Sequence, residues 1–186
     1  MVFLQNYYYL KNNFSLNDAV NVKAYNYAVG DENKTINFLV TEKSNWCRII
    51  EESYTSEGKI VKIPLITMDS FITKNSLELI DFVRMDVEGY EYHIIQGMKK
   101  TIEKSKPMFQ IEVHSTLMGL DNTKKFLKEF QNAGYETKYY IPRDIDLPII
   151  GSMRDVKQYS IDTLIDMLDN GKLSHFFNLC LKFKRQ

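Results

Sequence analysis

The feature that most constrains the fold is a succession of strand and helix signals from residue 81 to residue 141. Asp81 to Val87 (DFVRMDV) is a short apolar run stopped by Glu88-Gly89. From Tyr90 onward, Ile94, Ile95, Met98 and Ile102 fall on one helical face, and Pro107 marks the end of the segment. Met108 to Val113 (MFQIEV) predicts the next strand. Thr123 to Ala133 predicts a helix that buries Phe126, Leu127 and Phe130 and stops at Gly134, and Tyr135 to Ile141 predicts a further strand. Strands alternating with helices specify an α/β fold with a largely parallel sheet, whose ligands lie beyond the carboxyl ends of the strands.

The flanking segments extend this pattern. Asn21 to Val29 reads as a core strand that leaves through Gly30-Asp31. Thr35 to Val40 and Lys59 to Leu65 read as strands of a hairpin-like excursion, separated by a polar stretch that carries Trp46 and Gly58. Asp69 to Leu79 predicts a short helix. Ser160 to Leu168 predicts another, with Ser160 as N-cap and Gly171 as terminator. In Phe176 to Lys184, Phe177, Leu179, Leu181 and Phe183 alternate with Asn178, Cys180, Lys182 and Lys184, the pattern of an antiparallel or edge strand. Tyr7, Leu10 and Phe14 fall at helical spacing, which assigns the run Tyr7-Tyr8-Tyr9 to a helix packed on the sheet. No internal repeat or low-complexity linker interrupts residues 1–186, so a single domain is expected, with Pro142 to Tyr159 as its long irregular stretch.

Composition removes several classes of function. The 186 residues hold 24 Lys plus Arg against 24 Asp plus Glu, so the electrostatic footprint of a nucleic-acid binder is absent. The opening MVFLQNYYYL lacks the pattern of a signal peptide, and no apolar run approaches the ~20 residues of a membrane-spanning helix. Cys47 and Cys180, the two cysteines, read as reduced, structural thiols of a cytoplasmic protein.

The densest chemical cluster is Asp86-Val87-Glu88-Gly89-Tyr90-Glu91, carboxylates at a strand end followed by a glycine turn and a helix start. Strand periodicity puts Asp86 and Glu88 on one side. The plain alternative is that they only cap the helix. The next strand ends Ile111-Glu112-Val113-His114-Ser115, so Glu112 and His114 share a direction at the same sheet edge. An imidazole there can accept a proton from a hydroxyl or amine, oriented by a nearby carboxylate. His93 and His175 have no partners at metal spacing and take no role. Without HxxxH or CxxC patterns no metal site is expected.

Three segments together resemble the FkbM family of S-adenosylmethionine-dependent methyltransferases: NYAVGDENKTINF at 26–38, MDSFITKNSLELIDFVRMDVEGYEYHIIQGM at 68–98 and KPMFQIEVH at 106–114. The resemblance implies S-adenosylmethionine as cofactor and methyl transfer to an oxygen, less often a nitrogen, of a small molecule or sugar. It assigns His114 as candidate base, Glu88 to the acceptor or to helix-start support, Asp86 to the sulfonium or amino-acid end of the cofactor, and Val29 and Asp31 to the adenine. It implies a partial Rossmann-like sheet of the class I methyltransferase type, mostly parallel, with an antiparallel C-terminal strand. The family's glycine-rich turn between the first two strands has no counterpart here, since Gly30 is the first glycine. Those two strands are therefore expected to be missing, as in a truncated chain.

In the family's strand order, 3-2-1-4-5-7-6, this leaves the strand at 21–29 unpaired on one side and the strand at 81–87 as an exposed apolar edge. A complementary N-terminal chain, a homodimer that pairs these edges, or a sheet rearranged around the excursion at 35–65 would cover them. A noncatalytic subunit of a split methyltransferase is the competing reading. A D-x-D-like metal site of a glycosyltransferase at Asp86 and Glu88 is a third.

Overall fold

The computed structural model describes residues 2–40, 48–50, 58–143 and 156–184. In chain order the elements are α1 (Val2–Leu16), β1 (Ala28–Gly30), β2 (Lys34–Val40), β3 (Arg48–Ile50), β4 (Lys59–Thr67), α2 (Met68–Lys74), β5 (Phe82–Asp86), α3 (Glu91–Gln96), α4 (Lys99–Ser105), β6 (Met108–His114), α5 (Ser115–Met118), α6 (Leu120–Asn132), β7 (Tyr135–Pro142), α7 (Ile161–Asp169) and β8 (Phe176–Phe183). The strands form two sheets of four, β1-β4-β2-β3 and β5-β6-β8-β7.

The pairing is mixed rather than mostly parallel. Only β1 with β4 and β5 with β6 run parallel among the described pairs. The excursion explains the first sheet: β2 returns antiparallel to β4 over its whole length, from Lys34 opposite Leu65 to Val40 opposite Lys59, and β4 then lies beside β1. In the second sheet β8 is antiparallel, as its alternation predicts, but it is an interior strand inserted between β6 and β7. Cys180 on its second face is accordingly buried, and burial pushes its thiol pKa up. Cys47, Trp46 and most of the irregular stretch after Pro142 lie outside the described residues.

The main core belongs to the second sheet. Phe109, Ile111 and Val113 of β6 and Phe177, Leu179 and Leu181 of β8 are fully buried. They are covered by Phe126, Leu127 and Phe130 of α6 and by Leu164 and Leu168 of α7. Phe109, Phe130 and Tyr135 meet edge to face, with Phe109 4.9 Å from Phe130 and 5.5 Å from Tyr135. Ser160 caps α7 by accepting from the Thr163 amide at 3.0 Å. The first sheet has a much smaller cluster of Ile36, Ile63 and Leu65.

Several expectations change. The strand over 21–29 shrinks to Ala28–Gly30, because only these residues have a sheet partner. The helix expected over 69–79 ends at Lys74, where the Asn75 side chain donates to the Phe71 carbonyl and Ser76 turns left-handed. The helical face from Tyr90 to Ile102 is two helices, broken at Gly97-Met98. A Cβ on Gly97 would stand 1.8 Å from the Gly30 carbonyl oxygen, so the chain leaves α3 here to pass β1. α1 is a helix, yet Leu10 is exposed and Tyr7 and Phe14 are only half-buried, so the tyrosine run does not join the core.

The two sheets are tied together at one end. Asp69 of α2 accepts from the amides of Lys100 and Thr101 and from the Thr101 hydroxyl, at 3.1, 2.9 and 2.6 Å. It thereby caps α4, whose own N-cap residue, Met98, makes no side-chain cap bond. The Asp69 amide in turn donates to the Gly97 carbonyl at 3.1 Å. A groove of about 1570 Å³ is lined by residues of all four strands of the first sheet, from Ala28 of β1 to Ile50 of β3, and by β5, the turn after it and α3.

Candidate active site

The site starts from the turn that follows β5. The strand ends at Asp86, and Glu88 adopts φ 52° followed by Gly89 at φ 97°. A left-handed non-glycine residue is uncommon and is held there by its surroundings. Gly89 is required: a Cβ on it would come within 2.6 Å of Leu117. Asp86 and Glu88 thus meet through this turn rather than through continued strand periodicity. Neither caps α3, whose N-cap is Tyr90 with no side-chain bond.

β6 lies beside β5 in parallel register, with Asp86 opposite Glu112. His114 is at the carboxyl end of β6 and is buried. Its Nδ1 is 2.8 Å from Oε1 of Glu91, the first residue of α3, which is 0% exposed. The same carboxylate oxygen accepts from the Gly89 amide at 3.2 Å. With Nδ1 held there, Nε2 faces Glu88 Oε2 at 3.5 Å and Glu112 Oε1 at 3.9 Å. Burial disfavours charge on the imidazole, but the hydrogen bond and charge of Glu91, with Glu88 and Glu112 beyond it, outweigh burial and raise the pKa above its ordinary value. Glu112 also accepts from Arg143 Nη1 at 2.6 Å.

Asp86, Glu88 and His114 each place one ligand atom within 4.8 Å of the others, a spacing that also suits a metal ion. No motif search finds this, because the residues come from a strand end, a turn and a neighbouring strand. Asp86 and Glu88 line the groove, and the buried His114 stands behind them.

Val29 lies within β1 and Asp31 follows it, and both also line the groove. Asp31 Oδ2 is 2.7 Å from His93 Nδ1, while Oδ1 is buried without a hydrogen-bond partner. Tyr90 stacks on the His93 ring with centroids 4.5 Å apart. Burial first, then Asp31 and Glu32, push the Tyr90 hydroxyl up to about 12. Sequence spacing had no role for His93 or Glu91. The only signal for Glu91 was its place in the DVEGYE cluster, and the pairing partners of both lie on other elements.

The expected site residues therefore fall into two groups, His114, Glu88 and Asp86 at the ends of β5 and β6 and Val29 and Asp31 at the end of β1, and α3 touches both, through Glu91 to His114 and through His93 to Asp31. The family model for the methyltransferase FkbM domain matches residues 4–137, well over half of the chain. The chain belongs to the FkbM methyltransferase domain family. Comparison with curated proteins and with solved structures finds no match. No helix among the described residues is long and apolar enough to cross a membrane.

The family generally uses S-adenosylmethionine, and residues lining the groove fit that group at two places. Asp31 Oδ1 is an unused buried acceptor beside apolar Val29 and the Tyr90 ring, suited to a flat heterocycle carrying an amino group. Asp86 offers a partly exposed carboxylate for a sulfonium or ammonium charge.

Proposed function

We propose that this chain is an S-adenosylmethionine-dependent methyltransferase acting on a hydroxyl of a small molecule or sugar in the cytoplasm, with His114 as general base. The observation that carries the reading is the buried Glu91–His114 pair, which leaves Nε2 facing Glu88 at the end of β6. With its single proton on Nδ1 toward Glu91, a neutral His114 presents the Nε2 lone pair to a carboxylate. Two acceptors so placed repel, and a donor hydroxyl held by Glu88 at the groove wall relieves that repulsion. The hydroxyl proton then passes to Nε2, and Glu91 stabilises the imidazolium that results. When bound, S-adenosylmethionine supplies an electrophilic methyl group. Val29 and Asp31 would hold its adenine, and Asp86 its positive end. The protein's remaining task is alignment across the groove.

Calorimetric titration with S-adenosylhomocysteine beside a thermal melt tests this. Micromolar binding with a raised melting temperature is expected, and His114→Asn should lower turnover by about 10²–10⁴-fold. A folded chain that binds nothing would replace this reading with the noncatalytic subunit of a split methyltransferase. The open groove between β1 and β5 favours that second reading.

A further inference from the structure

The imidazole of His114 has acceptors on both sides. Its Nδ1 lies 2.8 Å from Glu91 Oε1. A carboxylate accepts and does not donate, so the one proton of a neutral imidazole is fixed on Nδ1. The Nε2 lone pair points the other way, and the polar atoms that face it are carboxylate oxygens, Glu88 Oε2 at 3.5 Å and Glu112 Oε1 at 3.9 Å. His114 is only 4% exposed, so bulk water reaches little of the ring. Asp86 adds a further acceptor: one atom each from Asp86, Glu88 and His114 lie within 4.8 Å of one another. A hydroxyl brings one proton and satisfies one of these three, whereas a cation satisfies all of them at once.

Charge points the same way. Asp86, Glu88, Glu91 and Glu112 place four carboxylates around the imidazole, against two guanidinium groups, Arg84 at 3.9 Å from Asp86 and Arg143 at 2.6 Å from Glu112. The excess is two negative charges, which one divalent cation balances. Ligand atoms of a tetrahedral ion, at about 2.0–2.2 Å from it, stand roughly 3.4 Å apart, and His114 Nε2 and Glu88 Oε2 already have that spacing. The Asp86 and Glu88 side chains are 39% and 40% exposed, so each can turn inward without unpacking the core. One nitrogen and two oxygens suit a borderline ion such as Zn²⁺ better than Mg²⁺ or Ca²⁺, which take oxygen shells. Glu91 supplies what a metal-bound imidazole ordinarily has, a carboxylate on its other ring nitrogen. That carboxylate is 0% exposed and is held in turn by the Gly89 amide at 3.2 Å.

We propose that Asp86, Glu88 and Nε2 of His114 form a binding site for a divalent metal ion of the zinc type, with Glu91 as its positioning residue. Asp86 and Glu88 line the groove, so the remaining coordination position faces it. The site is independent of the methyl-transfer reading. An ion there takes both the lone pair and the carboxylate that the proposed proton transfer uses, so occupancy and general-base catalysis by His114 exclude each other. The other imidazole–carboxylate pair, His93 with Asp31, has no third ligand among the described residues and forms no such site.

The test titrates the full chain with Zn²⁺ alone at about pH 8, where protons compete least for the ligands. Calorimetry reads the stoichiometry, and nitrogen-resolved NMR follows the imidazoles of the three histidines. One ion per chain is expected, with the Nε2 signal of His114 shifting and those of His93 and His175 unmoved. Asp86→Asn and Glu88→Gln, at partly exposed positions, should each weaken binding at least about tenfold, and Glu91→Gln about 10–100-fold. Mg²⁺ in place of Zn²⁺ should bind at least about tenfold more weakly. Four results would overturn the site: a folded chain that takes up no Zn²⁺, uptake that shifts His93 or His175 in place of His114, binding unchanged in both Asp86→Asn and Glu88→Gln, and Mg²⁺ held as tightly as Zn²⁺.

Discussion

The two sheets of this molecule are built to different standards. The sheet β5-β6-β8-β7 is packed on α6 and α7 through residues such as Phe109, Phe126, Leu164 and Leu179, all 0% exposed. The sheet β1-β4-β2-β3 rests on the small cluster of Ile36, Ile63 and Leu65, with exposed apolar side chains such as Ile60 along β4. Yet each contributes one wall of the same groove. The division is not carried into the candidate site: Val29 of β1 packs against the large core, and Asp31 beyond it is held by His93 of α3 at 2.7 Å, so the thinly packed sheet delivers its groove residues onto the well-packed half.

The contrast can be broken first in the large core. Phe109→Ala removes a ring held edge-on by Phe130 and Tyr135 and should cost about 3–5 kcal/mol. Loss of the whole cooperative transition in a denaturant melt is the expected sign. Leu65→Ala in the small cluster should cost about 2 kcal/mol, at the low end for such a truncation. Here amides of 60–66 should exchange faster while those of 109–113 keep their protection. Equal loss in both sheets would show that the molecule unfolds as one unit.

The smallest expected effect is at the site. Glu91→Gln keeps a carbonyl for the His114 Nδ1–H and should cost about 1 kcal/mol. It removes the principal influence holding the His114 pKa up, so the acid limb of kcat/KM, expected above 6.5 in the parent chain, should move to lower pH. The same coupling has a sign for stability. A raised imidazole pKa stabilises the folded chain fully below the unfolded value near 6.5, and this contribution is lost as pH rises through the folded value. Melting temperatures from pH 6 to 9 should carry this decline in the parent and less of it in Glu91→Gln.

The well-packed half was the legible half. β5, β6, α6 and α7 follow from apolar spacing, and the Ser160 cap and Gly134 stop fall where their chemistry requires. What escaped was set by tertiary partners. The apolar face from Ile94 to Ile102 continues smoothly across a break imposed by the Gly30 carbonyl. Asn21 to Tyr27 has strand-like composition but no described strand to pair with. The convergence of Asp86, Glu88, Glu112 and His114 was visible from two neighbouring strand ends. The orienting role of Glu91 and the Asp31–His93 pair were not, because each joins elements far apart in the chain.

The close pass at Gly97 has a consequence for how tolerant this protein is to change. The residue caps the end of α3 opposite Glu91 and supplies no side chain, yet any side chain there must push the end of α3 away from β1. That displacement falls on Gly30 and Asp31, whose backbone an added Cβ would meet at 1.8 and 3.3 Å, and so moves the Asp31 carboxylate that lines the groove. In a saturation scan, position 97 would score like an active-site residue while contributing no chemistry, because it acts as the spacer that sets the calibre of the groove.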